Sequence, residues 1–428
     1  MPTSRPNALS SGREVPGRVV AITTVPVSLW CFFPGLFRYL TARGWDVHVV
    51  SSPGEHLDRV AKRDPVQAHA LSMTRRISPL ADFVALLRLL ILLLRLRPQI
   101  VHAHTPKASL LGMTAAWLLR VPVRIYHLHG LRLATSTGWK LRLLSAVERL
   151  TCRMATQVLA VSPSLRDAAV ELGICRASKI KVLGHGSING VDALGRFSPA
   201  NIAPGSRDRI RRQNGIEPGA TVVGFLGRLV PDKGLCELVE AFERCAEKYP
   251  AAHLLLVGPH EAKTALPASL TRKVEDHPRI SCVGETVDPP PYLAAMDLVV
   301  LPSYREGFGL SLLEAAALGL PTVASDIPGC RDAVADTLTG SLVPARDAVA
   351  LEGAISTYLA DQEMCRRHGA AGRQRAIQLF APHKLWQALD VEYTQLVAAA
   401  GQPAVPAFNR EAAQPGTPTP AVSPRRAA

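Results

Sequence analysis

The chain has 428 residues, 47% apolar and 20% charged, so it is long enough for two or three domains and is not a disordered or fibrous protein by composition. Its net charge of +14 is unevenly placed: residues 1–200 hold 26 Lys and Arg against 10 Asp and Glu, and the remainder holds 23 against 25. The eight cysteines form no C-x-x-C pair, which argues against a cysteine zinc site and for reduced thiols in a cytoplasmic protein.

The basic excess of the N-terminal half predicts a partner that carries many negative charges. Its basic residues are interleaved with leucines rather than with aromatic side chains, which favours an anionic membrane surface over a nucleic acid. We therefore expect a cytoplasmic protein that attaches peripherally to the inner face of the cytoplasmic membrane. An arginine-rich surface without such a partner is the alternative. Residues 1–16 are polar and offer no apolar core for a signal peptide, so we predict a disordered tail there.

The first half of the chain alternates between apolar strands and helices, which predicts a parallel, doubly wound α/β sheet. The predicted strands are 19–23, 47–51, 100–104, 123–127, 158–161 and 181–183. The predicted helices are 33–44, 82–96, 105 to about 119, and 139–154. Together they predict a Rossmann-like domain over 17–198.

The same pattern restarts after a polar segment, predicted as a linker over 199–216. The predicted strands are 222–226, 252–257, 280–283, 298–301 and 321–324, with helices at 235–248, 347–360 and 362–379. A second Rossmann-like domain is thus expected over 217–380, with a helix at 381–400 returning to the first domain and a disordered Pro/Ala-rich tail over 401–428. Because doubly wound sheets bind ligands at the carboxyl ends of their strands, two facing domains predict a site in the cleft between them.

The segment 83–97 is strongly apolar but too short for a membrane span, and Arg88 and Arg95 interrupt it. The two arginines are seven residues apart and share one helical face. One interpretation is a helix packed on the sheet with one solvated edge. The other is a basic amphipathic helix that lies on a membrane.

A glycine-rich turn at Glu306, Gly307, Phe308, Gly309 and Leu310 follows a buried strand and leads into a helix that carries Glu314. A helix start of this kind binds anions, because free backbone N–H groups and the positive end of the helix dipole point at one spot. Carboxylates beside it are suited to accept hydrogen bonds from hydroxyl groups, and a phosphate with hydroxyls describes a nucleotide sugar. One alternative is that Glu306 and Glu314 form an acid–base pair for glycoside hydrolysis. Another is that Glu314 only complements the helix dipole.

Arg228 and Lys233 lie in a turn that follows the strand 222–226 and precedes a helix. Two cations at this position would neutralise a diphosphate and stabilise it as a leaving group. A solvent-exposed turn without a ligand is the alternative for these two residues.

These motifs, with the runs 297–303, 317–324 and 340–344, resemble the retaining nucleotide-sugar glycosyltransferases of family 4. The resemblance covers about 17–400 and implies the GT-B fold, in which two Rossmann-like domains face each other. It assigns the donor diphosphate to Arg228 and Lys233, and the ribose to Glu314. It assigns the donor sugar to Glu306, the base loop to Gly284, and backbone contacts with sugar and phosphate to the turn residues Gly307, Phe308, Gly309 and Leu310.

In the N-terminal half, His129 matches a family histidine that points into the cleft near the reacting carbon, where an imidazole could orient a hydroxyl or handle a proton. The alternative for His129 is a structural histidine at a strand end that is hydrogen-bonded to the backbone. We prefer this alternative for His127. A metal site at His102 and His104 is disfavoured, because the sequence offers these two ligands no third.

The runs 104–108, 128–132, 148–151 and 184–192 resemble bacterial enzymes that build capsule, exopolysaccharide or O-antigen units on undecaprenyl diphosphate. This resemblance makes Lys107, Arg132 and Lys140 candidates for the acceptor diphosphate, with solvated surface cations as the alternative. The loop 25–35 lacks the family's paired glycines and is aromatic, which argues against a donor-phosphate contact there and suits a lipid-bearing acceptor.

The predicted function is retaining transfer of a sugar from a UDP- or GDP-sugar to a lipid-linked saccharide. No Asp-x-Asp motif occurs in the chain, so we expect neither a metal nor another cofactor. A nucleotide-sugar epimerase of the same fold and transfer to a soluble acceptor remain alternatives. The pattern makes no prediction about oligomeric state.

Overall fold

The computed structural model describes residues 17–74, 78–260 and 266–401, and the statements below concern these residues. Most of 401–428 and all of 1–16 lie outside them. The first sheet has seven strands: β1 Gly17–Ile22, β2 Trp45–Ser51, β3 Gln67–Ala70, β4 Ile100–His104, β5 Val123–Leu128, β6 Gln157–Ala160 and β7 Ile180–Val182. The second has six: β8 Thr221–Leu226, β9 Ala252–Val257, β10 Ile280–Gly284, β11 Leu298–Leu301, β12 Thr322–Ser325 and β13 Gly340–Val343.

The helices connect and cover these strands. In the first half they are α1 Pro26–Phe32, α2 Leu36–Ala42, α3 Glu55–Arg63, α4 Pro79–Leu96, α5 Pro106–Leu118, α6 Gly138–Met154 and α7 Pro163–Glu171. In the second they are α8 Ser206–Gln213, α9 Leu235–Lys248, α10 Ala268–Asp276, α11 Pro290–Ala294, α12 Leu310–Ala317, α13 Cys330–Ala333, α14 Ala348–Ala360, α15 Gln362–Leu379 and α16 Pro382–Gly401.

Both sheets are parallel and doubly wound, as the alternation of strands and helices predicts. The strand orders are β3-β2-β1-β4-β5-β6-β7 and β10-β9-β8-β11-β12-β13, so the winding direction reverses between β1 and β4 and between β8 and β11. Alternate residues of each strand point to opposite faces, and β1 divides its apolar side chains between two cores in this way. The reversals open crevices at the carboxyl ends of the strands.

Most strands lie within a residue or two of the predicted ones, whereas β3 and β13 are absent from the sequence prediction. The sequence QAHA of β3 is largely exposed at the edge of the sheet, so it carries no apolar run that would mark it as a strand. Residues 25–35 differ as well. Most of this segment folds as α1 rather than as a loop, with Pro26 in its first turn.

The segment 199–216 contains a packed helix and not only a polar connection. Helix α8 carries Arg207 and Arg211, which bind the two carboxylate oxygens of Asp297 at 2.6 and 2.7 Å. Asp297 directly precedes β11 and also accepts the backbone N–H of Val222 at 2.7 Å. Two basic residues of this polar segment therefore anchor α8 to the second domain.

The chain returns to the first domain through α16. Asp390 accepts hydrogen bonds from Trp45 Nε1 at 2.8 Å and from Arg43 Nε at 2.9 Å. Tyr393 lies in the core formed by α1, α2 and one face of the first sheet. No helix in the described parts of the chain combines the length and apolarity needed to cross a bilayer.

Helix α4 buries only Ala85, Leu89 and Leu93. Arg88 and Arg95 are exposed, as expected for a solvated edge, and the rest of the outer face is largely apolar. The exposed apolar side chains of this face are those of Leu80, Phe83, Val84, Leu87, Ile91 and Leu94.

Candidate active site

The glycine-rich turn after β11 ends at α12, as expected for an anion site. Gly309 occupies the position before the helix and provides no side-chain cap. The first N–H groups of α12 therefore depend on a ligand or on solvent for hydrogen bonds. The aromatic ring of Phe308 is buried, so it holds the turn in place and leaves the backbone to face the cleft.

The two predicted motifs of the second domain meet at one ion pair. Lys233 ends a short 3-10 turn after β8, and its Nζ donates a hydrogen bond to Glu306 Oε1 across 73 positions of sequence. Both side chains are mostly buried. Arg305 also binds Asp232 at 2.9 Å, which is a second contact between the turn after β11 and the turn after β8. Arg228 lies at the start of the same turn. A cation and a carboxylate thus stand side by side at the positive end of α12.

Glu314 lies in the second turn of α12 and is partly buried. Burial raises the pKa of this carboxyl to about 7 from its ordinary value of 4.5, and nearby Arg196 offsets only part of that effect. Arg196 comes from the segment after β7, and it also donates a hydrogen bond to the Val287 carbonyl in the second domain. The buried carboxyl of Glu314 is suited to accept hydrogen bonds from hydroxyl groups.

The first domain touches the glycine-rich turn directly. Ser162, which caps α7, donates a hydrogen bond from its Oγ to the Gly307 carbonyl at 2.8 Å. A Cβ on Gly307 would overlap the carbonyl oxygen of His129, and Gly130 also packs against Gly307. His129 and Glu306 therefore flank a direct contact between the domains. No sequence pattern indicated this role for Ser162.

His129 is half-buried and contacts a group of three buried histidines, His102, His104 and His127, at the ends of β4 and β5. Its Nε2 lies 3.0 Å from His104 Nδ1, and its Nδ1 is buried without a hydrogen-bond partner in the described structure. Burial lowers the pKa of His129 to about 4 and that of His104 well below its usual range. At neutral pH both rings are uncharged. His129 can therefore orient a hydroxyl group, but it does not stabilise the negative charge of a leaving group as a cation would.

The other two histidines form a chain that reaches α16. His102 Nδ1 lies 2.6 Å from the Tyr393 hydroxyl, and His102 Nε2 lies 3.1 Å from His127 Nδ1. The preference for a backbone-bonded His127 was therefore wrong. A signal was present in the sequence, because His-x-His occurs at the end of both predicted strands, and the parallel pairing places His104 opposite His127.

A metal could in principle use this group, because one ligand atom each from His102, His104 and His127 lies within 4.8 Å of the others. The structure thus supplies the third ligand that the sequence did not reveal. His102 Nδ1 is occupied by the Tyr393 hydroxyl, whereas His102 Nε2 contacts His127, another member of the group.

The three acceptor candidates follow the carboxyl ends of β4 and β5 but differ in solvent exposure. Lys107 in the first turn of α5 binds both oxygens of Asp82 at 2.7 and 2.8 Å and is largely buried. Arg132 and Lys140 are exposed. In the second domain, Gly284 ends β10 at a φ of 81°, a left-handed conformation that suits glycine, and it exposes backbone at the predicted base loop.

Two family models match the chain: "Glycosyl transferase 4-like domain" over 32–186 and "Glycosyl transferases group 1" over 206–375. A capsular polysaccharide biosynthesis glycosyltransferase, CapM of Staphylococcus aureus, is 31% identical over 84% of this chain and 92% of its own length. This chain belongs to the family 4 glycosyltransferases.

A second relative of this glycosyltransferase is the Escherichia coli enzyme named UDP-Gal:alpha-D-GlcNAc-diphosphoundecaprenol alpha-1,3-galactosyltransferase. It is 28% identical over 73% of this chain and 79% of its own. Among solved structures, Anabaena Alr3699/HepE in complex with UDP and glucose superposes with a TM-score of 0.72 at 20% identity, over 89% of this chain and 100% of that one. WaaG, a glycosyltransferase involved in lipopolysaccharide biosynthesis, gives 0.66 at 16% identity, over 87% and 99%. These structures establish the GT-B fold.

Proposed function

We propose that this glycosyltransferase moves a sugar, with retention at the anomeric carbon, from a UDP-sugar to a lipid-linked saccharide during bacterial surface polysaccharide synthesis. GDP-sugars are the second choice of donor. The observation that carries the proposal is the Lys233–Glu306 pair, which stands at the start of α12 and faces His129 of the other domain. The proposal also holds that the reaction takes place at the inner face of the cytoplasmic membrane.

The donor diphosphate is assigned to Lys233, Arg228 and the first N–H groups of α12. Two cations and a helix N-terminus would neutralise a diphosphate without a metal ion, which is why we propose metal-independent catalysis. Lys233 would move from Glu306 to the phosphate when the donor binds, and this exchange would release the Glu306 carboxylate to accept a hydrogen bond from the sugar. Glu314 would accept hydrogen bonds from the ribose, and Gly284 would contact the base through its backbone.

The proposed reaction proceeds on one face of the sugar. The bond from the anomeric carbon to the diphosphate oxygen breaks, and the bond to the acceptor oxygen forms on the same face. The acceptor proton passes to the departing phosphate oxygen, so no strong protein base is required. His129 is neutral and would lie beside the transferred sugar, where its ring would orient a hydroxyl group. Domain contact at Gly307 would exclude water that could hydrolyse the donor.

The E. coli relative is named for a diphosphoundecaprenol-linked acceptor, which supports a lipid-linked acceptor here. The exposed Arg132 and Lys140 are suited to the acceptor diphosphate. Lys107 is a weaker candidate, because Asp82 already neutralises it. The transferred unit is proposed to be a hexose or an N-acetylhexosamine.

The test is transfer of radiolabelled sugar into butanol-extractable lipid of bacterial membranes, with a panel of UDP- and GDP-sugars and with EDTA present. We expect label in lipid from one donor, and the anomeric configuration of the product, read by NMR, to match that of the donor. Glu306→Gln should lower the rate by about a hundredfold or more, because it removes the negative charge beside the reacting sugar. Glu363→Gln, an exposed substitution on α15, is the matched control and should leave the rate unchanged.

Other outcomes would replace the proposal. Inversion at the anomeric carbon would contradict the proposed retention. Loss of activity in EDTA would contradict metal-independent catalysis. An epimerised donor without any transfer would indicate an epimerase, and transfer only to a soluble saccharide would remove the lipid-linked acceptor.

A further inference from the structure

We propose that the outer face of α4, together with the exposed tryptophans of α5 and α6, is the surface through which this protein docks on an anionic lipid bilayer. We call it the α4 face. The reason for membrane docking rests on the proposed lipid-linked acceptor. The location of the docking surface rests on the structure.

The α4 face is a continuous apolar stripe on the outside of the molecule. Its members recur at spacings of three and four residues, which places them on one side of the helix. Leu80 is 85% exposed, Phe83 is 59%, and Ile91 and Leu94 are 50% and 58%. No other described helix exposes so many large apolar side chains. A monomeric soluble protein rarely leaves a contiguous stripe of this kind open to water.

Two exposed tryptophans lie on the helices beside α4. Helix α4 packs on α5, and α5 packs on α6, so the three form one outer layer of the first domain. Trp139, in the first turn of α6, is 75% exposed, and Trp117, in the last turns of α5, is also exposed. Tryptophan is enriched at membrane–water interfaces, where its ring occupies the headgroup level.

The charges beside the stripe favour an anionic surface. Arg88 and Arg95 lie on one flank of the helix, and Arg97 follows its last turn. The single acidic residue of α4, Asp82, is neutralised by Lys107. The helix therefore offers its partner an apolar stripe and positive charge, the combination found in helices that lie in a membrane interface.

A second copy of this chain fits the same surface less well. The residues 80, 84, 87, 91 and 94 follow the alternating spacing of four and three that is typical of a coiled-coil seam. In a symmetric pair, however, the flanks would bring arginines together, and α4 offers no free carboxylate to compensate them. Anionic lipid headgroups supply that compensation.

The location of the α4 face suits an acceptor held in the bilayer. Helix α4 precedes β4, so it runs against the strand direction, and its N-terminal end lies near the carboxyl edge of the sheet. The Asp82–Lys107 pair joins that end to the start of α5 beside the cleft. A docked α4 face would thus bring the mouth of the cleft to the membrane surface, where the diphosphate of a lipid-linked acceptor lies.

The experiment is co-sedimentation of the full chain with vesicles made of equal parts phosphatidylcholine and phosphatidylglycerol, compared with phosphatidylcholine alone. The double variant Ile91→Gln/Leu94→Gln should lower the partition coefficient by at least about tenfold, since two apolar side chains lose their place in the bilayer. Arg88→Gln/Arg95→Gln should lower binding several-fold on the anionic vesicles only. Val349→Gln, an equally exposed apolar position on α14, is the matched control and should bind as the parent protein does.

Each variant is first compared with the parent in thermal melting and in UDP affinity by calorimetry, so that a folding defect is not read as a docking defect. Equal vesicle binding by the parent and by Ile91→Gln/Leu94→Gln would overturn the inference. So would a parent dimer that this variant converts to a monomer, because the α4 face would then contact a second copy. Vesicle binding that follows these expectations without any sugar transfer would leave the docking surface standing and remove the proposed function.

Discussion

The surroundings of Glu314 determine the pKa of its carboxyl group. Its position in α12 is evident from the sequence, but the raised pKa arises because the fold removes solvent from the carboxyl. Near neutral pH, this residue therefore changes between an ionised form that only accepts hydrogen bonds and a protonated form that also donates one.

We predict that Glu314 makes donor binding pH-dependent. As the pH falls below about 7, the protonated carboxyl should accept fewer hydrogen bonds from ribose, and the KM for the donor should rise, approaching about tenfold per pH unit. Glu314→Gln should have a higher KM that is flat between about pH 6 and pH 8. Steady-state kinetics of both proteins across this range provide the measurement, and a parallel pH profile in the variant would contradict the assignment.

The same shift has a consequence for stability. A carboxyl with a raised pKa holds its proton more tightly in the folded protein than in the unfolded chain, so ionisation favours unfolding. The parent should lose stability relative to Glu314→Gln as the pH rises from 4.5 to about 7. Thermal melting in matched buffers would show this as a difference in melting temperature that changes with pH.

At the scale of elements, α16 connects the end of the chain to the histidine group. Its Tyr393 hydroxyl is hydrogen-bonded to His102, and both groups are buried in the first domain. Helix α16 follows the second domain in sequence but packs on the first, so it joins the two. A change in this helix should therefore affect the stability of the domain that carries His129.

We predict that Tyr393→Phe destabilises the protein by about 1–3 kcal/mol, because it leaves the buried His102 Nδ1 without its partner. The ring itself is retained, so packing should change little. Val391→Ala, at an exposed position two residues away on the same helix, is the control and should change stability by less than about 0.5 kcal/mol. Urea unfolding of the three proteins measures the difference, and equal midpoints would contradict the role given to this hydrogen bond.

For the molecule as a whole, Gly307 is one of the places where the two domains meet. The absence of a side chain there lets the turn approach His129 and Gly130, and Ser162 of the other domain donates a hydrogen bond to the Gly307 carbonyl.

We predict that Gly307→Ala lowers kcat/KM by about a hundredfold, because the added Cβ would overlap the His129 carbonyl and keep the domains apart. Small-angle scattering should report a larger radius of gyration, whereas thermal stability should change little. Gly353→Ala on α14, where an added Cβ meets nothing within 4 Å, is the matched control and should leave activity unchanged. Full activity in Gly307→Ala would show that this contact is dispensable.

Much of the fold and part of the site could be predicted from local sequence. Apolar runs locate most strands because parallel strands are covered on both faces. The turn at 306–310 is recognisable because glycines next to a helix start have a local chemical meaning. Strand β3 was not predicted, because its own residues carry no apolar pattern. Its pairing with β2 holds it in the sheet.

The sequence alone determined which residue types stand at the ends of the strands, and so the class of fold and the family. Only the tertiary structure decided what those residues contact, because pairs such as Lys233–Glu306 and His102–Tyr393 are joined by packing across long stretches of chain. The same reason applies to α4. Its apolar residues could be read from the sequence, but which of them face water depends on where α5 and the sheet cover the helix.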